Sequence, residues 1–453
     1  MSVGTKLLQA AAGNAGEAVY VDDVFATSLW KGDSSGSRSI NNGIDLDGEG
    51  GLVWIKGRTA AYDHALYDTA RGVTKEIYSN KADAQQTNSN TLTSFNSNGF
   101  SIGDDTLVNN NNEDYVSWSF RKAEKFFDIV TWSGSGSANH TISHNLGSTP
   151  GVIIWKKYNS ADSWGFYHRD VTGYLLLNET NTANSTVVID NVTSTSFRLK
   201  YDYGFLNDGS STYVAYLFAH NEADYGENSD EAIIHCGSYT GNGSTGQFIN
   251  LGFEPQFLLI KSASSSHDWY LADVMRGMAN TDVSTAHRYL YAQAANAEEG
   301  YASRWRTEPN GFHLTTAATG INGSGNTYIY MAIRRSHKPA SKFAATDLFV
   351  ADESDNSDGE EPKWRTTFPV DFAIDNWATQ NGSDKHVSSR LIQGKYLRAN
   401  GTNAVSSESA YQFDYMNGFY ADSGATSGMY AWMFRRAKGF MDVVTYVGDG
   451  SSY

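Results

Sequence analysis

Apolar residues occur along the chain in short runs separated by polar spacers rich in Gly, Asn, Ser and Asp. The runs contain mostly Val, Ile, Tyr, Phe and Trp, which favour strands, and the spacers contain residues that favour turns. Only residues 5–12 have the composition of a helix, which Gly13 and Asn14 would end. The pattern predicts an all-β protein with at most one short helix near the N-terminus.

The runs form a repeat with a period of about one hundred residues, and such self-similarity indicates duplicated structural units. Each copy opens with an apolar run, which ends at Lys in the first three copies and is degenerate in the fourth: residues 52–56, 152–156, 257–261 and 370–374. Each copy closes with an aromatic-rich run: residues 115–121, 213–219, 328–334 and 429–435. Four related modules are therefore expected.

The repeat is specific at the level of single residues. Moving residues 115–137 by 314 positions places them on residues 429–451 without a gap, and eleven of the twenty-three residues are identical. A further landmark precedes the closing runs: Asn-Gly-Phe at 98–100, 310–312 and 417–419, with Ser196-Phe197 in the second copy. Asn-Gly favours tight turns, so each pair predicts a turn, and the following Phe is expected to face inward.

The repeat divides the chain into an anchor segment, four modules, a linker and a partial module. We expect each complete module to be an antiparallel β-sandwich of jelly-roll or lectin-like type, and the modules to be strung out in a tandem array. The predicted boundaries are an N-terminal anchor segment at 1–28, modules at 29–122, 123–222, 223–350 and 369–438, an acidic linker at 351–368, and the start of a fifth module at 439–453.

Two segments have properties that single them out. Residues 352–361 are dominated by Asp and Glu, which predicts an exposed and mobile linker. Residues 440–451 repeat the opening of a module, and a lone strand cannot bury its apolar face. We therefore expect the natural polypeptide to continue past Tyr453.

Charge and composition narrow the possible functions. Lys and Arg total 34 against 50 Asp and Glu, a net charge of −16, so the chain lacks the basic surface that nucleic-acid binding requires. It has no apolar stretch long enough to span a bilayer and no signal-peptide pattern, so membrane insertion is not expected. The single cysteine, Cys236, cannot form an internal disulfide and is interpreted as a small apolar residue in a sheet.

Few residues resemble metal ligands. Asp45, Asp47 and Glu49 place carboxylates at alternate positions beside Gly48, but the complete calcium-loop pattern is missing, and an ordinary solvated turn is favoured. His140 and His144 lie in a polar loop, where four-residue spacing does not bring them together. The acidic linker has no better pattern. We predict no metal and no cofactor.

Candidate catalytic residues also have simpler interpretations. Ser135 lies between two glycines, but between strands rather than in a strand–turn–helix element. Three Asp–Arg neighbours recur at related module positions, which favours a structural contact over catalysis: Asp68 with Arg71, Asp170 with Arg169, and Asp273 with Arg276. No catalytic residue is predicted, and the protein is expected not to be an enzyme.

Recurring aromatic residues are interpreted as core. Trp118, Tyr216 and Trp432 share one position of the repeat, and we expect Trp118 and Trp432 to be buried equivalents. Trp164 and Trp269 also correspond, and either a core role or a sugar-stacking platform would explain them. The core role is favoured because large aromatics supply much of the buried area of a sandwich.

Several phrases of the repeat resemble those of tail-fibre-like structural proteins of tailed bacteriophages, especially phages of marine bacteria. They are residues 128–137, 142–150, 173–178 and 213–219, and the opening, residues 1–11, also looks like the start of such proteins. The resemblance covers nearly the whole chain. It implies a structural component of a virus particle and transfers no catalytic residues.

From these observations we expect a virion structural protein, made in the host cytoplasm. Its N-terminal segment would attach to other tail proteins, its modules would face the host surface, and copies would form a symmetric homo-oligomer, a trimer being favoured. Deleting residues 1–28 is then expected to leave folded modules that do not enter particles. Three alternatives stay open: a lectin-like protein that binds a host surface glycan, a capsid decoration protein, and a polysaccharide depolymerase carried on the tail.

Overall fold

A computed structural model describes residues 18–279, 287–300, 304–354, 362–377, 384–421 and 428–445. The predicted fold class is confirmed, since the chain is 43% strand and 6% helix and its separate sheets are antiparallel. The described α-helices are single turns, α1 (Thr106–Asn109), α2 (Gly204–Asn207) and α3 (Thr319–Asn322). Short 3₁₀ turns occur at Val21–Asp23, Ala340–Lys342, Ala345–Asp347 and Arg390–Ile392. The helix predicted at residues 5–12 lies outside the described residues.

Module 1 is a sandwich of a six-stranded and a three-stranded sheet. Its strands are β1 (Phe25–Lys31), β2 (Arg38–Asn41), β3 (Gly51–Gly57), β4 (Ala65–Asp68), β5 (Lys75–Tyr78), β6 (Gln86–Thr87), β7 (Leu92–Asn96), β8 (Gly99–Ile102) and β9 (Asp114–Arg121). The large sheet has the order β1-β9-β3-β4-β5-β6, and the small sheet has the order β2-β8-β7.

Module 2 repeats this plan with a five-stranded large sheet. Its strands are β10 (Phe127–Ser133), β11 (His140–Ser143), β12 (Val152–Lys157), β13 (Gly165–His168), β14 (Leu175–Leu176), β15 (Ile189–Asp190), β16 (Ser196–Leu199) and β17 (Thr212–Phe218). The sheets have the orders β10-β17-β12-β13-β14 and β11-β16-β15.

Module 3 has the same strand order as module 1. Its strands are β18 (Ile234–Thr240), β19 (Gln247–Asn250), β20 (Pro255–Ser262), β21 (Trp269–Asp273), β22 (Arg288–Tyr291), β23 (Glu299–Gly300), β24 (Trp305–Glu308), β25 (Gly311–Leu314) and β26 (Thr327–Arg334). The sheets have the orders β18-β26-β20-β21-β22-β23 and β19-β25-β24.

Module 4 keeps the large sheet and reduces the small one to two strands. Its strands are β27 (Phe349–Glu353), β28 (Trp364–Arg365), β29 (Phe372–Trp377), β30 (Lys385–Ser389), β31 (Lys395–Arg398), β32 (Ser406–Ser407), β33 (Gly418–Phe419) and β34 (Met429–Phe434). The sheets have the orders β27-β34-β29-β30-β31-β32 and β28-β33. β28 and the end of β27 fall within the predicted linker at 351–368, whose residues 355–361 lie outside the described part.

The large sheets of modules 1–3 are buried on both faces. Every residue of β3 and every residue of β12 is buried. Burial on both faces explains why the sequences of these strands are nearly continuous apolar runs. In module 1, one face packs on its own small sheet through residues such as Val53 and Phe100. The other face, with Trp54 and Trp118, belongs to a core that all three large sheets share.

Modules 1, 2 and 3 close on one another around this shared core, an arrangement called here the three-module ring. Phe120 of module 1 contacts Phe218 of module 2, with ring centroids 5.4 Å apart, and Phe257 of module 3, at 6.1 Å. Phe166 of module 2 contacts Trp269 of module 3 at 4.6 Å. The expectation that the modules are strung out is therefore wrong, because the apolar outer faces of the large sheets bury each other.

The Asn-Gly landmark has a different structural reason from the one predicted. Asn96 pairs with Gly99, so the two-residue turn is formed by Ser97 and Asn98, and Gly99 is the first residue of β8. A Cβ atom on Gly99 would lie 2.0 Å from the carbonyl oxygen of Ile40 on the neighbouring strand. Glycine is required there for close approach of the backbones. The prediction that the next residue faces inward is confirmed, since Phe100, Phe312 and Phe419 are buried.

The beginning of the described chain is part of the body. Val21 and Val24 are buried in the shared core, and the Asp22 carboxylate accepts hydrogen bonds from the backbone N–H groups of His337 and Lys338, both at 3.1 Å. Deleting residues 1–28 would remove these contacts and half of β1. The expectation that this deletion leaves the modules intact is wrong for residues 18–28, and residues 1–17 lie outside the described part.

Candidate functional site

The recurring Asp–Arg pairs are structural in two modules and different in the third. Arg71 Nε donates to Asp68 Oδ2 at 2.5 Å, and Arg276 Nε donates to Asp273 Oδ2 at 2.6 Å, with all four side chains buried. The third pair, Arg169 and Asp170, is exposed and 3.6 Å apart. Strand register identifies His168 as the module 2 equivalent of Asp68 and Asp273. In module 2 Val152 pairs with His168, just as Leu52 pairs with Asp68 in module 1. The assignment of Asp170 to this position is wrong.

These three positions join neighbouring modules. Tyr216 Oη of module 2 donates to Asp68 Oδ2 of module 1 at 2.7 Å. Trp118 Nε1 of module 1 donates to Asp273 Oδ2 of module 3 at 3.0 Å. His168 of module 2 reaches the backbone oxygen of Tyr330 in module 3 at 3.3 Å. Each of the three junctions of the ring therefore contains a buried polar contact from the same repeat position.

A second set of contacts runs around the ring in one direction. Trp164 Nε1 of module 2 donates to the Tyr78 oxygen of module 1 at 2.8 Å, and Trp269 Nε1 of module 3 donates to the Leu176 oxygen of module 2 at 3.1 Å. His64 of module 1 contacts the Tyr291 oxygen of module 3 at 3.0 Å. Both tryptophans are buried, which confirms their core role and excludes them as sugar-stacking platforms.

The lysine that ends each opening run in modules 1–3 is buried, and in modules 2 and 3 it reaches the neighbouring module. Lys156 Nζ donates to the Ala82 oxygen of module 1 at 3.1 Å, and Lys261 Nζ donates to the Thr180 oxygen of module 2 at 3.1 Å. Burial lowers the pKa of Lys56, Lys156 and Lys261 to about 8 in each case. Lys156 and Lys261 therefore serve the junctions, whereas Lys56 donates to the backbone oxygens of Gly57 and Ala60 in its own module.

The candidate metal residues do not converge. Asp45 Oδ1 accepts from the Gly48 N–H at 2.8 Å, as in an ordinary turn, and the described residues contain no group of three or more ligands able to hold a metal ion. His140 Nδ1 lies 3.0 Å from Asn207 Oδ1, whereas His144 stacks on Phe197.

The candidate nucleophiles are also used structurally. Ser135 Oγ accepts a hydrogen bond from Asn207 Nδ2 at 2.9 Å and so helps to fix the glycine-rich turn. Cys236 is buried, its Sγ lies 3.3 Å from the Ala219 oxygen, and burial raises the pKa of its thiol. A protonated, buried thiol is a poor nucleophile.

An open cleft lies between modules 1 and 4, which the sequence pattern did not reveal. It has a volume of about 420 Å³. Trp30 lies at the cleft and is stacked on Tyr115 with ring centroids 5.5 Å apart. The rest of the lining is mainly polar and charged and includes Lys31, Arg38, Ser39, Asn41, Arg58, Asp114, Gln412, Asp414, Tyr415 and Asn417.

Arg58 fixes the wall of this cleft by joining three modules. Its guanidinium donates to Glu298 of module 3 at 2.9 Å and to Asp414 of module 4 at 2.9 Å. Burial alone would lower the pKa of Arg58, but the two carboxylates outweigh burial and raise it. Burial raises the pKa of the nearby Asp114 carboxyl. Asp414 Oδ1 is buried and accepts no hydrogen bond from the described residues.

The cleft has the chemistry of a site for a polar, neutral ligand. Amides, carboxylates and guanidinium groups offer paired donors and acceptors, whereas the indole of Trp30 is only 7% exposed. Concave sites with a few convergent polar groups are typical places for ligands. No helix in the described part of the chain is long and apolar enough to cross a membrane.

Comparison with known proteins places the three-module ring in a family. Neither the curated proteins nor the solved structures contain a match to the chain. A family model described as "Domain of unknown function (DUF7483)" matches residues 21–336. The match begins just before β1 and ends just after β26, so it spans the three-module ring and stops before module 4. The chain therefore belongs to the DUF7483 family of domains of unknown function.

Proposed function

We propose that the protein is a non-enzymatic structural component of a tailed-bacteriophage particle, most similar to a tail fibre. It is attached to other tail proteins through its N-terminal side and presents its β modules toward the host surface. It resides in the virion after synthesis in the host cytoplasm. The phrases of the repeat that resemble such proteins motivate this proposal.

The observation that supports the proposal is the structural role of the recurring residues. The repeated Trp, Tyr, Asp, Arg and Lys side chains hold module against module instead of lining a shared reaction site. A protein whose repeated residues hold its modules together is suited to a structural role, in which it positions other parts of a particle and transmits force. A catalytic protein needs only one copy of its reactive residues.

Immunogold labelling of intact phage particles tests the location. An antibody raised against residues 18–338 should decorate the tail tip or fibres at regular positions. Decoration spread evenly over the capsid would instead support a capsid decoration protein, and absence of the protein from purified particles would refute the proposal.

Glycan binding is the second candidate, favoured by the cleft between modules 1 and 4. Its polar lining fits a sugar, whose hydroxyl groups need paired donors and acceptors. A glycan array probed with the protein should show selective binding. The Asn41→Ala variant should weaken that binding, whereas Asn145→Ala, an exposed residue of module 2 outside the cleft, should leave it unchanged.

The same preparation separates binding from cleavage. Release of reducing ends from host polysaccharide would support a depolymerase and contradict the non-enzymatic assignment. Equal binding by the Asn41→Ala and Asn145→Ala variants would show that the cleft is not the glycan site.

A further inference from the structure

Module 4 presents an apolar sheet face that no described residue covers fully. The face, called here the module 4 face, consists of side chains on one side of its large sheet: Phe349, Phe372, Ile374, Leu397, Trp432 and Phe434. Phe349 and Leu397 are 39% and 45% exposed, and the others are half-buried. The expectation that Trp432 is buried like Trp118 is therefore wrong. Contiguous apolar patches of this kind mark interaction surfaces.

The equivalent face is fully buried in module 1. By register, Phe25 holds the place of Phe349, and it is 2% exposed. Ile77 holds the place of Leu397, because it pairs with Leu66 as Leu397 pairs with Val387, and it is 0% exposed. The sequence of module 4 has kept large apolar residues at these places although nothing in the described chain buries them.

The three-module ring shows what covers such a face. In modules 1–3 the matching faces pack on one another, so that each large sheet is covered by the large sheets of two related modules. Module 4 is held beside the ring by other surfaces, through Arg436 with Glu254 at 2.8 Å and Arg58 with Asp414 at 2.9 Å. Within the described part of the chain its apolar face is left largely uncovered, with Phe440 contacting Phe434 at 6.4 Å between ring centroids.

We propose that the module 4 face is buried against the module 4 faces of two further copies of this chain, in a closed trimer. Three identical faces related by threefold symmetry would reproduce the arrangement that modules 1–3 build within one chain. A closed cyclic assembly covers every face and leaves none for open-ended growth. This inference goes beyond the proposed function and does not depend on it.

Particular contacts follow from the ring. Phe434 holds the place of Phe120, whose ring contacts its module 2 equivalent, Phe218. Phe120 also contacts Phe257 of module 3, which holds the place of Phe372. Phe434 of one copy should therefore contact Phe434 and Phe372 of its neighbours. Trp432 holds the place of Trp118, whose indole donates to Asp273 of the neighbouring module. Ser389 holds the place of Asp273, because it pairs with Phe372 as Asp273 pairs with Phe257. Trp432 of one copy should therefore donate to Ser389 of the next.

The edge of the module 4 face is polar, as expected for the rim of an interface. Tyr430 Oη donates to Glu353 at 2.9 Å, and Asn376 pairs with Tyr430 on the next strand. In module 1 the same row contains Leu29, Val116 and the buried Lys56. An apolar centre with a polar rim is the usual anatomy of a protein interface.

Light scattering coupled to size-exclusion chromatography tests the trimer with the full chain. The wild-type protein should elute at three times its 49.6 kDa mass. Trp432→Glu and Ile374→Glu should each lower the mass threefold, because a charge on the face cannot be desolvated without a partner. Phe248→Glu is the matched control, since Phe248 is an exposed aromatic on β19 of module 3, and this variant should remain trimeric.

A wild-type monomer or dimer, or an unchanged trimer in both Glu variants, would overturn the proposal. Circular dichroism of each variant checks that the sheets are retained. A second measurement does not depend on the Glu variants. A spin label is attached to the Tyr430→Cys variant, and the native Cys236 is buried and should not be labelled. Pulsed electron paramagnetic resonance should then give one interchain distance. No interchain distance would count against the trimer.

Discussion

At the scale of single residues, one repeat position illustrates how the ring is specified. Asp68 and Asp273 are buried carboxylates, each held by an Arg three residues later and by an aromatic donor from a neighbouring module. In module 2 the position holds His168, which contacts a backbone carbonyl instead. The sequence alone shows that the Asp–Arg pair recurs. Strand register is needed to identify His168 as the equivalent residue in module 2. The aromatic side chain of another module that donates to each Asp cannot be deduced from local spacing.

The cross-module hydrogen bond of Tyr216 should contribute measurably to stability. Tyr216→Phe removes the donor to Asp68 Oδ2 and leaves a buried carboxylate with one partner fewer. The free energy of unfolding should fall by about 1.5–3 kcal/mol, the range for hydrogen bonds to charged groups. Urea denaturation measures the change. Tyr203→Phe, at an exposed tyrosine, should change the free energy by less than about 0.5 kcal/mol, and an equal loss in both variants would contradict the role of Asp68.

Acid should weaken the ring through His168. Its Nδ1 accepts from the Asp170 N–H at 3.1 Å, so Nε2 carries the proton and donates to Tyr330, and the imidazole is neutral. Burial lowers the pKa of His168 from 6.5 to about 4, with Arg169 and His235 adding to the effect and Asp170 opposing it. The unfolded state therefore binds more protons between these values, and stability present above pH 6.5 is lost as the pH falls toward 4.

A variant separates His168 from the other acid-sensitive groups. Lowering the pH from 7 to 4 should cost about 2–3 kcal/mol through this side chain alone. His168→Gln keeps an N–H donor near the position of Nε2 but cannot take up a proton, so its stability should depend less on pH by that amount. Thermal melting at a series of pH values measures both proteins, and parallel curves would show that His168 does not titrate between the two states.

At the scale of elements, periodicity predicts where strands occur. It does not predict why some of these strands are continuously apolar. The runs at 52–56, 152–156 and 257–261 were predicted as strands, and all three are central strands of large sheets. Their continuous apolar character reflects burial on both faces, which a sequence cannot distinguish from a sandwich core without knowing what covers the outer face. The degenerate run of β29, with Asp375 and Asn376, marks the module whose outer face is uncovered by the described chain.

The hairpin of β7 and β8 offers a test of why glycine follows its turn. Gly99→Ala would place a Cβ 2.0 Å from the Ile40 oxygen at a φ of +127°, so the small sheet must shift. We expect a loss of at least about 2 kcal/mol, measured by urea denaturation. Ser196 occupies the same position in module 2 and already carries a Cβ, so Ser196→Ala should be tolerated. A neutral Gly99→Ala variant would refute the close-approach explanation.

At the scale of the whole molecule, the repeat predicts four modules but does not predict how they are arranged. Self-similarity along a chain is equally compatible with an extended array and with a closed ring. The difference lies in contacts such as Trp118 with Asp273, which are separated by 155 positions and have no local signature. The sequence does not reveal the cleft between modules 1 and 4 for the same reason, since its walls combine residues 28–58 and Asp114 with Pro362 and residues 412–417.

The shared core makes a final prediction about the unit of folding. One apolar cluster contains Trp54 of module 1, Ile154 of module 2 and Leu259 of module 3, so none of these large sheets is complete alone. A chain of residues 18–338 contains the whole ring and the contacts of Asp22 with residues 336–338. It should be a soluble, folded protein that unfolds in one cooperative transition, because the three modules bury each other's faces.

Residues 123–222, which contain module 2 alone, provide the contrast. This fragment would expose Ile154, Phe166 and Tyr216 to water, and it should aggregate or lack a cooperative melt. Calorimetry and sedimentation of the two fragments measure the difference. A stable monomeric module 2, or separate transitions for the three modules of the ring, would show that each sandwich is self-sufficient. The shared core would then be a contact surface between finished domains, and the ring would not be the folding unit.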